Sequence, residues 1–124
     1  MEQPCILIVS EDYSRIREAL RDAGYSTAGV PDPESAREVF ESMKPSLVVI
    51  DDELARTTHR SLPYYVRVLS GSPRTPLLAI GDKANESIAR APAEAYDAYF
   101  TRPLDLHALV AAVRQLMPAA PPTP

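Results

Sequence analysis

Apolar residues gather in five short runs, Cys5 to Val9, Tyr25 to Val30, Leu47 to Ile50, Leu77 to Ile80 and Tyr96 to Thr101. Each has strand length, and the third, Leu47-Val48-Val49-Ile50, is uniformly aliphatic, as a strand buried on both faces requires. Between the runs the apolar period changes to that of a helix. Ile16, Ala19, Leu20 and Ala23 recur at i, i+3, i+4 and i+7, and Gly24 stands where a C-terminal cap belongs. Asp32-Pro33-Glu34 opens a second helix, with a capping carboxylate, proline in the first turn and a stripe of Ala36, Val39, Phe40 and Met43. After a polar loop from Asp52 to Arg60, Leu62, Tyr65, Val66 and Leu69 outline a third helix. Ile88, Ala89 and Ala91 give a thin fourth, which Pro92 ends or kinks. Leu106, Leu109, Val110, Val113, Leu116 and Met117 form the fifth and clearest amphipathic stripe.

Strands alternating with helices through short loops predict right-handed crossovers and a parallel sheet covered on both faces, a doubly wound α/β fold. For five such units the flavodoxin-like order 2-1-3-4-5 is expected, and it sets the ends of strands one and three side by side. Glu11, Asp12 and Asp51 are therefore expected to converge. With 124 residues and no internal repeat, one domain over 1–117 is predicted. Four of the 13 prolines fall in 118–124, which reads as a disordered tail or the start of a linker.

A net charge of −4 gives no basic footprint for nucleic acid or an anionic membrane. The first apolar run is too short for a membrane span and lacks a basic leader, so a cytoplasmic protein is expected. The single Cys5 lies within that run and reads as a buried reduced thiol. His59 and His107 lack metal-ligand spacing. A flavodoxin-type enzyme needs a small-residue loop after strand one to cradle phosphate, and Ser10-Glu11-Asp12 puts repelling acids there.

Carboxylates gathered at one crevice call for a hard cation or raised carboxyl pKa values, and Mg²⁺ beside a carboxylate nucleophile supports an acyl phosphate. The plain alternative is that Asp12 caps a helix, Asp51 closes a strand, and Asp52 and Glu53 are solvated loop acids. Arg102, before Pro103 at the end of strand five, adds a cation on the same edge, able to pair bidentately with a carboxylate or phosphoryl group.

Three stretches, Ile6-Leu7-Ile8-Val9 followed by acids, Pro45 to Asp51, and Asp97-Ala98-Tyr99-Phe100-Thr101-Arg102-Pro103-Leu104, together with the order of elements, resemble the receiver domain of two-component response regulators such as the chemotaxis regulator. The resemblance spans the chain up to Met117. It implies a non-enzymatic phosphorelay module, with a histidine kinase or phosphotransfer protein as donor and a downstream protein or effector domain as target. By the same resemblance Asp51 is the phosphoacceptor, Glu11 and Asp51 ligate Mg²⁺ with the backbone carbonyl of Glu53, and Tyr99 is the switch aromatic. Pro103 follows a peptide bond expected to be cis, and a homodimer through the faces of the fourth and fifth helices is a family expectation.

The departures from the pattern carry consequences. Ser10 stands where the family has an acid, Gly81 where it has a hydroxyl, and Arg102 where it has a lysine; the first helix is about a turn short and the loop after Asp51 lacks a Met-Pro-Gly turn. Ser10 predicts weakened or lost Mg²⁺, with Asp12 as a partial substitute. Gly81 breaks the hydroxyl link between phosphate and Tyr99, and Arg102 is placed to form a standing salt bridge with Asp51. Two expectations follow: a receiver phosphorylated on Asp51 with Arg102 contacting the phosphoryl group, or a degenerate receiver acting as a phosphate-independent interaction module.

Overall fold

The computed structural model describes residues 5–52, 75–82 and 96–117. The expected third and fourth helices, Glu53, His59 and the proline-rich tail lie outside these. The described elements are β1 (Cys5–Val9), α1 (Tyr13–Asp22), β2 (Ser26–Val30), α2 (Pro33–Met43), β3 (Leu47–Asp51), β4 (Leu77–Gly81), β5 (Ala98–Thr101) and α3 (Leu106–Leu116), the last being the fifth helix expected above.

The five strands form one parallel sheet in the order β2-β1-β3-β4-β5, the flavodoxin-like arrangement the alternation predicts. Its three inner strands are buried almost throughout, whereas β2 and β5, at the edges, are mostly half-buried. Strand pleating divides the core in two. Leu7, Val9, Val48, Ile50, Leu77 and Ala79 face Ala36 and Phe40 of α2. Ile6, Ile8, Leu47, Val49, Leu78 and Ile80 face Ile16 and Leu20 of α1 and Leu109 and Val113 of α3. Burying each such aliphatic side chain contributes about 1.5–3 kcal/mol, so the central strands anchor everything at their ends.

The helix ends follow their local chemistry. Beyond α1, the Gly24 N–H donates to Arg21 O at 2.9 Å and the Tyr25 N–H to Leu20 O at 3.0 Å, with Gly24 at φ +97°. These two bonds make a Schellman cap, in which glycine takes the left-handed position without a Cβ clash. Asp32 caps α2 by accepting from the Ser35 N–H at 2.8 Å, and Asp105 caps α3 by accepting from the N–H groups of His107 and Ala108. α2 ends on Lys44, whose φ of 50° places a non-glycine residue in the left-handed region.

β2 starts one residue later than expected, at Ser26, and β4 ends one residue later, at Gly81, and three further expectations are corrected. β5 begins at Ala98 rather than Tyr96, because the Asp97 carboxylate turns back to accept the Leu77 N–H at 2.7 Å while its own N–H donates to Leu77 O at 2.8 Å. β3 runs one residue further, so Asp51 lies within the ladder in register with Ile80. Cys5 is half-buried rather than buried, with its Sγ 3.7 Å from Met43 Sδ, and burial pushes its thiol pKa up.

Candidate functional site

The carboxyl ends of β1, β3, β4 and β5 carry Ser10, Asp51, Asp52, Gly81 and Arg102. The adjacent carboxylates lie on opposite faces: Asp51, the last residue of β3, continues the series Leu47 and Val49, and Asp52, the first residue past the strand, contacts Tyr96 and Tyr99, which pack on the face of Val48 and Ile50. On one face the Arg102 Nη2 is hydrogen-bonded to Asp51 Oδ2, and its Nη1 is 3.8 Å from Asp82 Oδ1. The Asp51 side chain keeps 12% of its exposure and that of Arg102 41%, so this pair is screened on one side only. The Arg102–Pro103 peptide bond is cis, as expected for this position. Beside the pair opens a cleft of about 240 Å³, lined by Ser10, Asp12, Arg15 and Arg102 among polar residues and by Ile16 and Ile80 among apolar ones.

On the other face Asp52 is 1% exposed. Its Oδ1 accepts from the Tyr96 hydroxyl at 3.1 Å, and its Oδ2 lies 3.4 Å from the Tyr99 hydroxyl, which reaches Asp82 O at 3.0 Å. The two rings are tilted at 51° with centroids 6.4 Å apart, an aromatic contact of ordinary geometry. Tyr99 is turned in over Gly81: a Cβ built on Gly81 would lie 2.2 Å from the Tyr99 Oη. Position 81 thus has to be glycine for this placement of the phenol.

Asp52 is the residue that reading the sequence as a loop missed; it is a buried acceptor and not a solvated loop acid. Its signal was present, because carrying the alternation of Val48 and Ile50 one step further puts it on a buried face. Of the acids expected to converge, Asp12 lines the cleft beside the Arg102–Asp51 pair, and among the described residues these acids form no group of three placed to hold a metal. Glu11 and Asp12 are exposed on the turn after β1, with Asp12 Oδ2 3.9 Å from Arg15 Nη1, while Asp51 is taken by Arg102. The Ser10 Oγ is buried and accepts the Asp12 N–H at 3.1 Å, and the Asp12 side chain makes no cap on α1. His107 is exposed at the start of α3.

Mg²⁺ prefers an octahedral set of oxygens including one or two carboxylates. Asp51 already bears a guanidinium, which would repel a divalent ion, and Ser10 offers a neutral oxygen. Among the described residues no group of three or more His, Cys, Asp or Glu is placed to hold a metal. The Arg102 guanidinium on Asp51 and the neutral Ser10 oxygen thus weaken the described part of the site for the ion.

No family model matches the sequence, and no curated protein does. Solved structures do match the fold. A Chloroflexus aurantiacus protein described as a response regulator has a TM-score of 0.80 at 24% identity, over 93% of this chain and 98% of that one. The signal receiver domain of a histidine kinase from Syntrophus aciditrophicus has a TM-score of 0.78 at 19% identity, over 91% and 89%. The chemotaxis response regulator CheY4 of Vibrio cholerae has a TM-score of 0.76 at 17% identity, over 94% and 100%. At these identities the likeness is one of fold: the chain has the receiver-domain fold. Among the described residues no helix is long and apolar enough to cross a membrane.

Proposed function

We propose that the chain is a receiver-type signalling module that passes its state on by protein–protein contact, with Asp51 as the regulated position and Arg102 as a built-in counter-charge that sets the site without an acyl phosphate. The Arg102–Asp51 ion pair carries this reading. A receiver changes state when the charge at the acceptor carboxylate changes and nearby cations and hydroxyls rearrange around it. Here a guanidinium from the end of β5 already neutralises that carboxylate, the neighbouring acid is replaced by Ser10, and Gly81 offers no hydroxyl to follow a phosphoryl oxygen. The net charge of −4 favours a protein partner over nucleic acid.

A second reading keeps Asp51 as phosphoacceptor for a histidine kinase or phosphotransfer protein. It is favoured by the residual exposure of the Asp51 side chain and by the cleft beside Arg102, through which a donor imidazole can approach. An Asp51 carboxylate oxygen would attack phosphorus, the P–N bond would break with its electrons on the imidazole, and Arg102 would move from carboxylate to phosphoryl oxygens. Incubation with acetyl phosphate and Mg²⁺ followed by intact mass measurement separates the two. The expected result is an unchanged mass. Gain of one phosphoryl group that disappears in Asp51→Asn overturns the first reading in favour of the second.

A further inference from the structure

The crevice around Asp51 belongs to the site already described, and the charged surface of α1 holds no group that points to a ligand. The cluster on the opposite face of the sheet, Asp52 with Tyr96 and Tyr99, has no role in either reading above. A buried carboxylate one residue from Asp51, reached by two phenols from the neighbourhood of β5, calls for an explanation in terms of what it holds.

We infer that Asp52 is the positioning residue that keeps Tyr99 turned in over Gly81, so that a change at Asp51 reaches Tyr99 along β3 through Asp52 and not through a side chain at position 81. Three observations carry this. The Tyr99 Oη occupies the space a Cβ at position 81 would need, 2.2 Å from it, so the inward place is open without any rearrangement of β4. The Tyr99 hydroxyl lies within reach of both the Asp82 carbonyl, at 3.0 Å, and Asp52 Oδ2, at 3.4 Å; its single proton serves one acceptor at a time, and the inward place offers both. Asp52 is nearly sealed from water and is braced by the Tyr96 hydroxyl, so it cannot swing away to solvent as a loop acid would.

The shared peptide unit supplies the connection. Asp51 and Asp52 share a peptide unit at the end of β3 and grip the β5 side of the sheet from its two faces, Asp51 through Arg102 and Asp52 through Tyr99. Both links pass the end of β4 at Gly81. Releasing Arg102 from Asp51 lets the end of β3 turn, and Asp52 turns with it. The transmission half of this inference rests on the signalling reading; the placement of Tyr99 does not.

The test follows the six tyrosines by ¹⁹F NMR after 3-fluorotyrosine incorporation, with no phosphoryl donor present and Tyr99 identified by its loss in Tyr99→Phe. In Gly81→Ala the new methyl displaces the phenol, and the Tyr99 resonance is expected to move to the shift of solvent-exposed tyrosine. The Tyr13 and Tyr25 resonances, on the other face, should stay and so report an intact fold. Asp52→Ala is expected to move Tyr99 the same way, and Asp52→Asn, which keeps an acceptor oxygen, to leave it in place. Where Asp52→Ala fails to fold, Asp52→Ser, too short to reach the phenol, replaces it. Arg102→Ala should shift Tyr99 in the native background and not in Asp52→Ala. A Tyr99 resonance unmoved by Gly81→Ala or by the loss of Asp52 overturns the positioning role. An Arg102→Ala shift of equal size with and without Asp52 overturns the route. Since no phosphate enters the experiment, its failure is distinct from a positive acetyl phosphate result.

Discussion

Arg102 and Asp51 form a pair of intermediate burial, and its energetics are bounded from both sides. Fully exposed pairs contribute about 0–1 kcal/mol, whereas removing one partner of a buried pair costs about 3–5 kcal/mol because a charge is left desolvated. With the Asp51 side chain at 12% and that of Arg102 at 41% exposure, Arg102→Ala is expected to cost roughly 1–3 kcal/mol in urea unfolding. The cost should shrink markedly in an Asp51→Ala background, and a double-mutant cycle that shows no coupling would place the pair among ornamental surface contacts. Cys5 offers a check of a different kind. Burial raises its thiol pKa in the folded state, so its contribution to stability is complete below the pKa of the unfolded thiol and is lost as pH rises toward the folded value. Native protein should therefore lose more stability than Cys5→Ala between neutral and alkaline pH, by urea midpoints compared at each pH.

The helices that position the site depend on their caps and on single buried contacts. Asp32 receives the Ser35 N–H and the Ser35 hydroxyl, so Asp32→Ala should lower stability by about 1 kcal/mol, a loss visible in the thermal midpoint. Leu109 of α3 is fully buried against β1, β3 and β4 on the face that also carries Asp51. Leu109→Ala should cost about 2–5 kcal/mol. Because α3 follows directly from Arg102, Pro103 and Leu104, that loss should also loosen the Asp51 contact, seen as a smaller coupling in the same cycle.

The sheet should open from its edges inward. Amides of β3 are expected to exchange most slowly with deuterated solvent and those of β2 and β5 faster, since the edge strands are mostly half-buried; faster exchange in β3 than in β5 would contradict the layered core. Much of this architecture was legible in the chain. Aliphatic runs and helical stripes specify burial, and burial on both faces with alternating helices leaves few topologies, so strand order and the placing of Asp51 and Arg102 followed from pattern alone. What pattern did not show depends on contacts between residues far apart. The start of β5 is set by the Asp97 carboxylate turning onto Leu77, and the burial of Asp52 by Tyr96 and Tyr99, over forty residues away in sequence. Acids after a strand look alike in sequence whether they face water, like Asp12, or the core, like Asp52. The left-handed end of α2 at Lys44 offers a way to strengthen the whole molecule. An exposed lysine held at φ 50° carries a steric cost that glycine does not, so Lys44→Gly should raise overall stability by about 0.5–1 kcal/mol. Lying at the opposite end of the sheet from Asp51, it supplies a reinforced host in which damaging replacements of Asp51, Asp52 and Arg102 remain folded long enough to be measured.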